Sequence, residues 1–264
     1  MKKNLYLIVC SLILLYGCEE VIELDLDNAA PRIVIDGAIN DQYERQTVRV
    51  SKTYKFTEPN RFNGLSGASV VMTSADGDVF NFTESQTNPG VYRSARLRGK
   101  QGMTYTLKVT VEGKTYTSVS EMPLSVSLDS LTFRQYTFFG EVKTYVAANY
   151  EDPGYIQNYY RYLLRIKGKT EKDVVGEDRF NNGKQVANVL YYALNDLNNG
   201  DTIHVEMQGI NRQVYRYFYT LEQISGDGGP PVAPENPPSN FDNGALGVFN
   251  AYTSSKRMAI IKKP

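Results

Sequence analysis

From Pro31 onward, apolar and polar residues alternate with a period of two over short runs. RIVIDGAI, QTVRVSKTY, ASVVMTS, DVFNFTE, GVYRSARL, MTYTLKVTV and KTYTSVSEM each predict a strand. In TYTLKVTV, Tyr105, Leu107, Val109 and Val111 fall on one face and Thr106, Lys108 and Thr110 on the other, as in an antiparallel sheet with one buried face. Asp76-Gly77 and Glu112-Gly113 put glycine where tight hairpins need positive φ. Seven strands so spaced predict a β-sandwich domain over residues 31–123.

Beyond Pro123, VSLDSLTF opens a second region, 124–264, with a looser pattern. KTYVAANYED, NYYRYLLRIKG, QVANVLYYAL and TIHVEMQGI predict strands. In NRQVYRYFYTLEQISG the alternation breaks. Val214, Phe218 and Leu221 lie at i, i+4 and i+7, Asn211 can cap the start and Gly226 the end, so the segment predicts a helix. A strand through Tyr215, Tyr217 and Tyr219 is the competing reading. GDGGPPVAPENPPSN is a Gly/Pro-rich loop with too few apolar residues to pack by itself, and GALGVFNAYTSSKRMAIIK predicts a closing hairpin. The expected fold is all-β: two β-sandwich domains in tandem, the second with one short helix and a long Gly/Pro-rich loop.

The first eighteen residues follow another pattern. A basic Met1-Lys2-Lys3-Asn4 precedes LYLIVCSLILLY, twelve mostly apolar residues. A hydrocarbon layer of about 30 Å takes about 20 residues to cross, so this run suits the h-region of an export signal, with a buried helix as the other reading. Leu15 to Cys18, LYGC, resembles the bacterial lipobox; Leu15 and Gly17 match, while Tyr16 is bulkier than the usual small residue. The resemblance implies that signal peptidase II removes 1–17 by cutting between Gly17 and Cys18, leaving a lipidated Cys18 as the first mature residue. At about 0.8 kcal/mol per buried CH₂, several acyl chains anchor a protein without a spanning helix. Residues 18–30 carry five acids and read as a tether, or as one added strand.

Composition narrows the chemistry. Lys plus Arg and Asp plus Glu are both 29, and loss of Lys2 and Lys3 leaves 27 basic residues, so no basic excess points to nucleic acid. The two cysteines are Cys10, lost with the signal, and Cys18, which leaves neither a disulfide nor a thiol nucleophile. His204 is the one histidine, on an alternating strand, and reads as a structural or surface residue rather than a metal ligand or part of a triad. Carboxylates are numerous enough for a paired-acid hydrolase, whose mark would be two acids converging in a concave pocket. DGD at 76–78 and GDGG at 226–229 lack the spaced ligand series of a calcium loop and read as turns. No catalytic residue, metal or cofactor is expected. With 20 Tyr and no Trp, interest falls on NYYRY and VYRYFY. Tyr159, Tyr160, Arg161, Tyr215 and Arg216 are residue types favoured at binding hot spots, though packed rings with hydroxyls reaching the sandwich edge are the equal alternative. The loop over 226–247, with Asn240, Asp242 and Asn243, is the other candidate binding surface.

PRIVIDGAI after the lipobox, LSGASVVMTSADGD, NPGVYRS, GMTYTLKVTVEGKTYTS, MP at the junction, DPGYIQNYYRY and PPSNFDNGALGVFNAYT occur in an order and spacing that resembles the Bacteroidota lipoprotein family known as domain of unknown function 4249. The first domain also resembles immunoglobulin/transthyretin-like modules of bacterial surface proteins. The family resemblance implies an outer-membrane lipoprotein encoded beside a TonB-dependent transporter, and it brings no catalytic residues. Glu19 and Glu20 resemble the signal that sends such lipoproteins to the cell surface, though a solvated tether explains them equally. The expectation is a non-enzymatic, surface-exposed lipoprotein that assists a TonB-dependent β-barrel or captures a small nutrient or glycan for it. The alternative is an adhesin-like module binding glycan or matrix.

Cys18→Ala should release the protein from membranes and abolish fatty-acid labelling, measured by fractionation and metabolic labelling. A variant that still labels and still fractionates with the outer membrane contradicts the lipobox.

Overall fold

Each of the seven alternating runs forms a strand: β1 Ile33–Asn40, β2 Glu44–Lys52, β3 Ser69–Ser74, β4 Val79–Glu84, β5 Val91–Leu97, β6 Thr104–Val111 and β7 Lys114–Glu121. In β6, Tyr105, Leu107, Val109 and Val111 are buried and Lys108 is exposed, as the period-two pattern requires. Glu112 and Gly113 both take positive φ between β6 and β7, the conformation that fits a two-residue hairpin to the strand twist. The computed structural model describes residues 30–54, 62–225 and 236–261. Gly17, Cys18, the tether up to residue 29, Gly226 and the loop over 226–235 lie outside the described residues.

The second region contributes β8 Ser130–Phe138, β9 Glu141–Glu151, β10 Tyr159–Ile166, β11 Lys169–Glu177, β12 Gln185–Leu190, β13 Thr202–Ile210, helix α1 Arg212–Ser225 and β14 Leu246–Ile260. The helix stands where the i, i+4, i+7 spacing put it, and the Asn211 side chain accepts a hydrogen bond from Val214 N at 3.0 Å, capping its first turn. β11 escapes the alternation because KTEKDVVGE is a half-exposed edge strand rich in charge. A Lys167-Gly168 turn with positive φ at both residues pairs it with β10.

The closing segment is not a hairpin. β14 is one strand of 15 residues that changes partner midway. From Leu246 to Tyr252 it runs parallel to β1, and from Thr253 to Ile260 antiparallel to β13. The resulting eleven-stranded sheet has the order β11-β10-β13-β14-β1-β2-β5-β4-β3-β6-β7, beside a separate three-stranded sheet β12-β9-β8. The 123/124 division needs the same correction: Pro31–Pro264 forms one compact unit, because β14 is hydrogen-bonded into both regions. What remains of the division is a pair of apolar cores. One gathers Ile35, Val48, Met72 and Leu107 with Phe249 of β14, the other Val146, Tyr160, Leu164 and Val205.

Gly247 makes the parallel pairing possible. Its φ is +101°, and a Cβ there would lie 2.0 Å from the Ile35 carbonyl oxygen. Gly247→Ala should therefore lower unfolding free energy by at least about 3 kcal/mol. Gly113→Ala, at φ +74° with open space around it, should cost only about 1 kcal/mol. Denaturant unfolding of both variants measures this, and equal losses would contradict the close approach at β1.

Candidate functional site

Strands β10, β13, β14, β1, β2 and β5 lie side by side, and the residues that alternate away from the two cores share a single face. Helix α1 covers part of it, where Val214 is buried with Tyr159, Ile210 and Val248. The uncovered remainder is a basin of about 880 Å³ whose floor and walls come from seven strands and the helix.

On the β10–β11 side the charges are matched. Arg161 grips Asp173 with two hydrogen bonds, Nε to Oδ1 at 2.7 Å and Nη2 to Oδ2 at 2.5 Å, and its guanidinium lies 3.6 Å from the centre of the Phe218 ring. Arg165 donates to Glu206 Oε2 at 2.7 Å. Glu206 is buried, and its Oε1 accepts from Ser254 Oγ at 2.8 Å and Gln208 Nε2 at 3.1 Å. Burial alone would push this carboxyl up. The hydrogen bonds from Arg165, Gln208 and Ser254, with the Lys256 charge, outweigh that and hold it below its ordinary value.

A carboxylate only accepts, so Gln208 must turn its Nε2 toward Glu206 and its Oε1 away. That Oε1, and the Oδ1 of Asn250 on β14, are buried with no hydrogen-bond partner among the described residues. Both residues line the basin.

On the opposite side the charges form no ion pair among the described residues. Arg49 of β2 and Arg93 of β5 line the basin, and neither has an ion pair or side-chain hydrogen bond with a described residue. Asp36 stands directly across from Arg49 in the β1–β2 register. Its side chain remains open to water, yet the surrounding walls desolvate the carboxylate and raise its pKa, a shift that Arg49 and Arg161 oppose.

Of the residues expected to form a Tyr/Arg surface, Arg161 alone lines the basin. Tyr159 and Tyr160 are buried rather than exposed. Tyr159 packs under α1 against Tyr215, with ring centres 5.0 Å apart, and Tyr160 donates to Asp152 Oδ1 at 2.5 Å inside the second core. Beside it Tyr150 and Tyr162 share a hydroxyl hydrogen bond of 2.7 Å, and burial pushes the Tyr150 phenol up to about 12. Arg216 is exposed on the helix. Asn240, Asp242 and Asn243 act as a clamp. Asn240 exchanges two 2.8 Å hydrogen bonds with the backbone of Phe249, Asp242 Oδ1 accepts from Thr117 N at 2.6 Å, and Asn243 Nδ2 donates to Thr115 O at 2.8 Å. These contacts fasten the segment to β7 and the first core. His204 is exposed on β13, and the Asp76–Asp78 turn is pinned by Lys100, which pairs with both acids.

Asp36, Arg49, Arg93, Gln208 and Asn250 were not anticipated. Their only mark in the sequence is a polar residue on the alternate face of a strand, which by itself reads as solvated surface.

The sequence profile of the family described as Domain of unknown function (DUF4249) matches residues 19–258. No curated protein matches the chain. Among solved structures, a DUF4785 family protein from Legionella pneumophila is similar with 9% identity and a TM-score of 0.22, over 67% of this chain and 51% of that one. The chain thus spans about half the length of that protein.

Glu206 tests the matched side of the basin. Its carboxyl is held below its ordinary 4.5, so its charge stabilises the folded chain above that value, and the contribution is lost as pH falls through the lowered folded value. Glu206→Gln should be less stable than the parent by about 1–3 kcal/mol near pH 7. The gap should narrow below about pH 4. Chemical denaturation across this range measures it; a gap independent of pH would refute the assignment.

Proposed function

We propose that this chain, which belongs to the DUF4249 family, is a non-enzymatic lipoprotein of the outer membrane that captures a small nutrient for a TonB-dependent transporter. The observation that carries this reading is the basin: two arginines that form no ion pair and two buried side-chain oxygens that meet no donor among the described residues, on a wall of continuous sheet. Groups held in that state suit a ligand that completes them. Binding is favoured over hydrolysis because the two basin acids are not equivalent. Asp173 is occupied by Arg161, which leaves Asp36 without a free acidic partner. The lipobox and the acidic residues after Cys18 support anchoring at the outer membrane with the mature chain facing the exterior. Such an anchor raises the effective concentration of the basin beside a barrel in the same membrane.

An adhesin-like module is the second reading, favoured by one feature. On the β8–β9 hairpin Phe138 is 44% exposed and Phe139 fully exposed, and Tyr136 packs against Phe138, Tyr145 and Tyr191 with ring centres 6.0–6.5 Å apart. Exposed aromatic platforms of this kind suit the faces of sugar rings.

Tagged protein purified from gently solubilised outer membranes of its host should bring down a large β-barrel. Repeated recovery of the lipoprotein alone would overturn the transporter partnership. Glycan binding that survives loss of the barrel and disappears with Phe138→Ala would favour the adhesin.

A further inference from the structure

The basin has a polarity of its own. At one end Arg93 stands opposite Thr47, and Arg49 opposite Val91, so the two arginines are diagonal neighbours on one face of the β2–β5 pair. Diagonal positions lie about 7–8 Å apart, within reach of long side chains, and like charges so placed repel. Asp36, across from Arg49, makes no ion-pair contact with either. Arg161 and Arg165 already have Asp173 and Glu206, so among the described residues the basin arginines without an ion pair are the two at the β2–β5 end, where Asp36 attracts Arg49 without pairing with it. Arginine forks match the paired oxygens of a carboxylate, and a single carboxylate set between Arg49 and Arg93 would turn their repulsion into two charge-assisted contacts.

Toward β13 and β14 the chemistry changes. Gln208 Oε1, locked in its orientation by Glu206, and Asn250 Oδ1 are acceptors without donors among the described residues, and Asp36 adds further acceptors. A ligand whose far end is apolar, or carries only oxyanions, leaves these oxygens unmet. Hydroxyl groups satisfy them. Phe62, which is 53% exposed, gives the lining a ring against which C–H groups can lie, while the Phe218 ring is taken by the Arg161 guanidinium. The volume, about 880 Å³, falls within the range of small-ligand cavities of roughly 300–1,000 Å³.

We propose that the basin binds an acidic saccharide: a carboxylate-bearing, hydroxyl-rich ligand of two or three rings. Its carboxylate lies between Arg49 and Arg93, and its hydroxyls lie over Gln208, Asn250 and Asp36. This deepens the reading of the basin as a nutrient-capture site and names the class of nutrient.

Titration calorimetry on the full-length protein in a sugar-free detergent tests it, with digalacturonate and a hyaluronan disaccharide as probes. The comparison ligands are the digalacturonate dimethyl ester, adipate and inorganic sulfate. At least one acidic disaccharide should bind saturably. The ester, which keeps the hydroxyls and loses the charge, should bind at least about tenfold more weakly, as should adipate and sulfate, which keep charge and lack the ring hydroxyls. Arg49→Ala and Arg93→Ala should each weaken disaccharide binding by about tenfold or more, with Arg134→Ala on β8 unchanged. Arg49 and Arg93 are exposed, so unaltered thermal unfolding of the variants separates lost contacts from lost fold. Ester binding equal to the acid, or unchanged affinity in both arginine variants, overturns the carboxylate site. Sulfate or adipate binding as tightly as the disaccharides overturns the saccharide. Failure of both disaccharides to bind overturns the proposal as a whole. Saccharide binding without recovery of a barrel would retain this inference and remove the transporter, and the converse would do the reverse.

Discussion

β14 joins the two halves of the molecule by changing hydrogen-bond partners at the middle of its length. Its first seven residues complete a parallel ladder with β1 and its last eight an antiparallel ladder with β13. Without it, β1 and β13 would each present a row of unpaired backbone groups, the open edge that folded proteins avoid. The cores depend on the same strand, since Phe249 and Ala251 fill the first and Ala259 packs against the second. Side-chain bonds support the change of partner: Ser120 Oγ accepts from Ala251 N at 3.1 Å, and Ser255 Oγ accepts from Leu128 N at 2.9 Å.

The basin follows from that continuity. A strand has two faces, and once the cores take one face of β10, β13, β14, β1 and β2, whatever is written on the other must gather on a common surface. In an isolated β1–β2 pair, Asp36 and Arg49 would be two solvated charges. In the joined sheet they share a basin with Arg161, Gln208 and Asn250, residues more than a hundred positions away. Its two sides differ because β11, the edge strand, brings Asp173 to Arg161, while β5 brings Arg93 to Arg49 and Asp36 forms an ion pair with neither.

Much of this architecture was legible. Period-two alternation located all seven strands before Pro123, because each buries one face against a single core, and apolar spacing with the Asn211 cap located the helix. β11 was hidden by its edge position, which permits charge on both faces. The closing segment looked like a hairpin because an ordinary strand is five or six residues long, and a 15-residue strand needs two successive partners. The tyrosines divided against expectation. Tyr159 and Tyr160 alternate onto opposite faces of β10, and both faces are covered at that point, one by α1 and the other by β9.

The sequence by itself determined the seven strands before Pro123, the helix and the family resemblance, since periodicity, capping and turn residues act between near neighbours. Tertiary structure alone decided that the two regions share one sheet, that Asn240, Asp242 and Asn243 fasten their segment to β7 and the first core, and that Arg49 and Arg93 face a common basin without an ion pair among the described residues. Those outcomes depend on which strands become neighbours, a choice made by backbone hydrogen bonds that leave little trace in the identities of the residues they join.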